Sequence, residues 1–139
     1  MNGPLIALVN DDRRLLTVAC ELLQRGRFRT AAYMLDDDAY ARLSRDRPDL
    51  VVVGLMQERP DAGWQLLTIA RLEPRLAGVP FILTSPDGRM LAERAAWLRT
   101  MRCDVLVEPF TATALLAKVE EALTTMASWR GPDAPYARV

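Results

Sequence analysis

The chain reads as an α/β protein: a doubly wound, five-stranded parallel sheet with helices on both faces. Three observations predict it. Apolar runs with no polar face recur at residues 5–9, 50–55 and 79–83, as strands covered on both sides require. Stretches with apolar residues three or four apart lie between them, the spacing of amphipathic helices. The connections are short, and strand and helix alternate five times, which favours parallel pairing through helical crossovers. The pattern leaves the strand order open.

The first strand covers 5–9 and stops at Asn10-Asp11-Asp12. From Arg13, apolar residues at Leu15, Leu16, Ala19, Cys20, Leu22 and Leu23 form a helical stripe. Asp11 or Asp12 supplies its cap, and Arg25-Gly26-Arg27 ends it with cations and a glycine. Residues 28–33 form a second strand. Asp36-Asp37-Asp38 caps a second helix that Pro48 stops. The third strand is 50–55, followed by a polar loop over 57–61 and a helix over 62–72. A fourth strand spans 79–84, and Ser85-Pro86-Asp87-Gly88 forms a turn and cap before a helix over 89–101. A fifth strand, 104–107, leads to Glu108-Pro109-Phe110, and Thr111 caps the last helix. Residues 1–129 make one domain, and 130–139, with Gly131, Pro132 and Pro135, read as a flexible tail.

Composition narrows the function. At 139 residues, half of them hydrophobic, the chain can bury one substantial core. Lys+Arg and Asp+Glu both total 18, and the pI is near 6.3, so nothing favours nucleic acid or an anionic membrane. No apolar run reaches the roughly 20 residues of a membrane span, and no signal-peptide pattern precedes Asn10; a cytoplasmic setting is expected. Cys20 and Cys103 are too few for a disulfide framework. There is no histidine, which excludes His-based triads and His-ligated metals, and Lys118 is the single lysine.

In a doubly wound sheet, chemistry sits at the carboxyl ends of the strands. At the end of the central strand that place falls to Gly54, which has no side chain to offer.

Four motifs in order carry a specific resemblance: Leu8-Val9-Asn10-Asp11-Asp12; Pro48 to Met56, continued by Asp61-Ala62-Gly63-Trp64; Val79-Pro80-Phe81-Ile82-Leu83-Thr84-Ser85; and Val105-Leu106-Val107-Glu108-Pro109-Phe110. From about residue 4 to 125 the chain resembles the receiver domain of bacterial two-component response regulators, a flavodoxin-like, CheY-like (βα)5 fold. The resemblance implies a cytoplasmic, non-enzymatic signalling module that accepts a phosphoryl group on an aspartate beside magnesium. That acceptor position is Gly54, followed by Met56 in the loop. The family's lysine before Pro-Phe falls on Glu108, and its acidic pair on Asn10 and Asp11. Its reporting hydroxyl falls on Ser85, its switch aromatic on Val105, and the glycine closing helix four on Met101. Only Asp11, Ser85 and Pro109 match the working set. The family holds the bond before this proline cis, and the same is expected at Glu108-Pro109.

These substitutions have physical consequences. An aspartyl phosphate needs a carboxylate nucleophile, a cation against the phosphoryl oxygens and a metal clamp. Gly54 removes the nucleophile, and Glu108 turns attraction into repulsion. At about 4 Å and an effective dielectric of ~20, that reversal shifts the interaction by roughly 8 kcal/mol at most. Losing the first acid at Asn10 weakens a magnesium site, which needs oxygen ligands in octahedral array. No catalytic residue and no bound metal or other cofactor is therefore expected.

The rival readings are an unconventional acceptor (Asp12, Asp61 or Ser85), a divalent cation held by Asp11 and Glu108, and a small ligand in a pocket vacated at Gly54. Against the cation, Glu108 could pair instead with Arg13 or Arg59. The leading expectation is a degenerate receiver, a phosphorylation-independent protein-interaction module. Its partner would be a signalling protein or a second copy, met through the helix 4–strand 5–helix 5 face with Val105, Arg94, Trp97, Arg99 and Trp129. No nucleic acid or membrane is expected as a partner.

Overall fold

The computed structural model describes residues 3–55 and 60–129, with the side chains of Pro60 and 126–129 left aside. Its strands are β1 (Leu5–Asn10), β2 (Arg29–Met34), β3 (Leu50–Gly54), β4 (Phe81–Ser85) and β5 (Cys103–Val107). The helices are α1 (Arg13–Arg25), α2 (Ala39–Asp46), α3 (Pro60–Leu72), α4 (Gly88–Thr100) and α5 (Ala112–Trp129). All strand pairs are parallel, in the order β2-β1-β3-β4-β5. This is the flavodoxin-like, CheY-like arrangement expected from the motifs. The order reverses between β1 and β3, so the crevice beyond their carboxyl ends is the switch point where such folds bind and react.

Side-chain alternation along each strand divides the core into two layers. Ala7, Val9, Val51, Val53, Phe81 and Leu83 meet Leu43, Leu67, Leu91 and Leu98 on the face covered by α2, α3 and α4. Ile6, Leu8, Leu50, Val52 and Ile82 meet Leu16, Leu23, Leu115 and Val119 on the face covered by α1 and α5. Because both faces are covered, the three central strands show no polar alternation.

The caps refine the sequence reading. Asp12 caps α1, accepting from the Arg14 and Leu15 backbone N–H groups at 2.9 and 3.3 Å. Asp38 stands at the start of α2 but makes no capping bond. Within that acidic run Asp36 does the local work, accepting the Asp38 N–H at 2.9 Å. Gly26 is not left-handed (φ −80); Arg27 takes that turn at φ 71. A Cβ at position 26 would stand 2.9 Å from Leu116 Cδ2 of α5, so a larger residue there would make that side chain shift. After α4 the left-handed residue is Arg102 (φ 55), one place beyond Met101. The Glu108-Pro109 bond is cis, as expected.

One half-buried cation ties the lower edge of the sheet together. Arg71, at the end of α3, donates to the carbonyl oxygens of Met101 and Val79 (both 2.6 Å) and Leu76 (2.9 Å). Longer contacts reach Ala77 (3.4 Å) and Arg102 (3.5 Å). Its guanidinium lies 4.9 Å from the centre of the Phe81 ring. Desolvation lowers its pKa to about 10, so it remains a cation near neutrality, satisfied by carbonyl dipoles. No helix among the described residues is long and apolar enough to cross a membrane.

Candidate functional site

The switch point is assembled from the last residues of β1, β3 and β4 and the first residue after β5. The register pairs Val9 with Val53 and Gly54 with Thr84, which sets Asn10 beside Gly54. Strand alternation then turns Asn10, Gly54, Thr84 and Glu108 toward the α1/α5 layer and Ser85 toward the opposite one.

The centre is filled. A Cβ built on Gly54 would collide with the Asn10 amide nitrogen, with Asn10 Cγ at 2.8 Å and Thr84 Oγ1 at 3.3 Å. The amide is tethered, because Asn10 Oδ1 accepts the Asp12 N–H at 2.9 Å. The cavity left beside it, bounded by Leu8, Val52, Thr84 and Leu115 among others, has about 20 Å³, room for one water. The expected vacated ligand pocket at Gly54 is therefore not there: the asparagine side chain has moved into it.

Glu108 turns inward as well. Its Oε2 accepts the Thr84 hydroxyl at 2.7 Å, and among the described residues no cation lies within ion-pair distance of it. The expected pairing with Arg13 does not form, and Arg59 lies outside the described residues, as does Met56. Ser85 is buried and accepts the Asp87 N–H at 3.0 Å, bracing the turn into α4. The hydroxyl that shares the site with Gly54 and Glu108 is thus Thr84. Sequence reasoning passed over it, although the two-residue period from Ile82 to Thr84 carries the signal.

The remaining candidates fall apart in space. Asp61 lies exposed in the first turn of α3, not on a loop able to swing inward. Asp12 is committed to its helix, and Asp11 is exposed. Among the described residues no three His, Cys, Asp or Glu side chains gather as a metal site would need. Magnesium does not fit here: one acid is an amide bonded within its own turn, and Glu108 is engaged by Thr84.

The expected interaction face also divides. Trp97 packs on Trp64 of α3, ring centres 6.0 Å apart, and the Arg94 guanidinium lies 5.1 Å from the centre of the Trp64 ring. Both therefore sit on the α3 side of α4, away from β5, because the helical period separates them from Arg99. Arg99 lines a groove of about 570 Å³ over β5 with Asp104, Lys118 and Glu121, where Lys118 Nζ bonds Asp104 Oδ2 at 3.0 Å. Val105 is half-buried against the α4 layer. Trp129 closes α5, and its side chain lies outside the described set.

No family model matches the chain. It is similar to the phosphate regulon transcriptional regulatory protein PhoB of Rhizobium meliloti (strain 1021), 29% identical over 120 residues, or 86% of this chain and 52% of that protein. The chain thus spans about half the length of that relative. A sensor protein from Polaromonas sp. JS666 superposes with a TM-score of 0.78 at 20% identity, covering 90% of this chain and 99% of that one. The chemotaxis response regulator CheY4 of Vibrio cholerae gives a TM-score of 0.75 at 15% identity, covering 87% and 99%. By fold the chain shares the flavodoxin-like, CheY-like architecture of these proteins. NtrX from Brucella abortus, in complex with ATP, gives a TM-score of 0.77 at 23% identity, covering 93% of this chain and 29% of that one.

Gly54 packs directly against the Asn10 side chain. Gly54→Ala should cost about 1–2 kcal/mol, since the methyl must displace a tethered amide. In an Asn10→Ala background the same change should cost almost nothing. A double-mutant cycle from urea unfolding checks this, and equal costs in both backgrounds would refute it.

Proposed function

We propose that this chain is a receiver domain acting as a phosphorylation-independent protein-interaction module of bacterial two-component-type signalling. The observation that carries this reading is the Asn10 amide lying where an acceptor side chain would project from position 54. Glu108 supports it, because a carboxylate facing Thr84 offers no charge neutralisation to a phosphoryl group. Val105 supports a fixed surface, being short and stiff at χ1 with no ring to swing between two states.

Contact with a signalling protein or a second copy falls, in this reading, to the α4–β5–α5 face. The groove beside Arg99, Asp104, Lys118 and Glu121 supplies charges of both signs for pairing across an interface. The experiment has two arms. Intact-mass measurement after acetyl phosphate and magnesium should show no added phosphoryl group. Sedimentation across a concentration series should be the same with and without magnesium and beryllofluoride. Arg99→Glu should weaken any association present, whereas Arg94→Glu should act only on the Trp64 contact. A stable phosphoryl adduct, or association that appears only with beryllofluoride, would overturn the reading; loss on Trp129→Ala alone would move the interface to the end of α5.

A further inference from the structure

A second cavity opens above the filled centre, a surface cleft of about 400 Å³ bounded by Asp12, Leu15, Pro86, Glu108, Pro109 and Phe110. Its size is that of a ligand site rather than a packing defect. Its walls are of two kinds. Leu15, Pro86, Pro109 and the Phe110 ring supply apolar surface, and Asp12 and Glu108 supply carboxylates. Glu108 is held by Thr84 through Oε2, and its Oε1 accepts no hydrogen bond among the described residues. Neither Asp12 nor Glu108 forms an ion pair among them, although Arg13 and Arg14 follow directly in α1.

We infer that this cleft receives an arginine side chain of the partner protein. The inference rests on the interaction-module reading and adds the chemistry of the partner. Arginine fits better than a small cation, because its methylenes cover apolar wall while its weakly hydrated, planar guanidinium meets the carboxylate. A phenylalanine face adds a cation–π contact when the cation is desolvated. An anion is disfavoured by both charged lining groups, and a wholly apolar ligand would strip water from Glu108 without replacing it.

The test titrates acetyl-Gly-Arg-Gly-amide into the 15N-labelled chain and follows the backbone amides, with the lysine and citrulline analogues as controls. The expected result is saturable shifts confined to Asp12, Leu15, Glu108, Phe110 and their neighbours. The lysine peptide should bind more weakly, the citrulline peptide should have no effect, and affinity should fall as salt is raised. Glu108→Gln, which can still accept from Thr84, should weaken binding at least threefold with its thermal melt unchanged. Shifts scattered over Asp36–Asp38 and Glu120–Glu121, or an equal response to citrulline, would overturn the assignment. Binding seen only in Arg59→Gln would also overturn it, by showing that the chain's own arginine occupies the cleft. Failure of the peptide with no phosphoryl adduct removes this inference alone; an adduct removes the reading beneath it.

Discussion

Gly54→Asp alone should leave the chain inert to acetyl phosphate and should destabilise it by about 2–4 kcal/mol, the range for burying an uncompensated charge in a packed site. The new carboxylate would collide with the Asn10 amide and face Glu108 with no cation between them. Adding Glu108→Lys corrects the sign at one wall but leaves Asn10 in the acceptor's place. The smallest set that clears the position and restores its charges is Asn10→Asp, Gly54→Asp and Glu108→Lys together. That triple variant should take up one phosphoryl group in a magnesium-dependent way, and intact mass with and without a chelator measures it. Uptake by the single Gly54→Asp variant would show that the amide yields easily and that the filled centre is no barrier. Uptake absent from the triple variant would place the defect outside these three positions.

The elements were legible because each carries its own local signal. Unbroken apolar runs gave β1, β3 and β4, and the cap and stop residues gave the helix ends to within a residue or two. The strand order came from the resemblance and not from periodicity, since parallel pairing leaves no mark within a strand. What the site contains was half legible. The missing acceptor, the reversed charge and the lost acid are identities and could be read directly. That the Asn10 amide fills the space beside Gly54 could not, because it depends on the neighbouring ends of β1 and β3 and on the Asp12 N–H that holds Asn10 Oδ1. Thr84 was hidden for a different reason. Resemblance carries a residue type to a position in the alignment, and here that position was Ser85. Strand parity sends the Ser85 hydroxyl to the Asp87 N–H and the Thr84 hydroxyl to Glu108. Arg94 and Trp97 were grouped with Arg99 because all three lie on α4; the helical period puts them on different sides.

Arg71→Met should lower stability by about 2–4 kcal/mol. A half-buried guanidinium is an unusual choice for the end of α3, where a leucine would pack without desolvation. It donates to five carbonyl groups of two chain segments, 76–79 before β4 and 101–102 before β5, which are also joined by Arg102 Nη1 donating to the Ala77 carbonyl at 3.4 Å. Methionine can fill the volume but leaves the Met101 and Val79 carbonyls without their donor, at about 1–3 kcal/mol for each unmet group, whereas the Leu76, Ala77 and Arg102 carbonyls keep the Val79 N–H, Arg102 Nη1 and Phe81 N–H. Lysine should recover only part of the loss, because a point charge with three donors cannot span acceptors spread across a planar fork. The midpoint of urea unfolding, at unchanged slope, gives the magnitude. Cys103 gives the location. Burial pushes its thiol up to about 12, so in the native chain it reacts only when the start of β5 opens. In a Cys20→Ser background, Arg71→Met should speed labelling of Cys103 under native conditions by tenfold or more, before global unfolding is detectable. A loss under 1 kcal/mol with labelling unchanged would mean that the carbonyls find water instead. The same opening would loosen Arg99 and Arg102 beside the groove over β5, so weakened partner binding in this variant would tie a fixed interaction surface to the arginine that holds its floor.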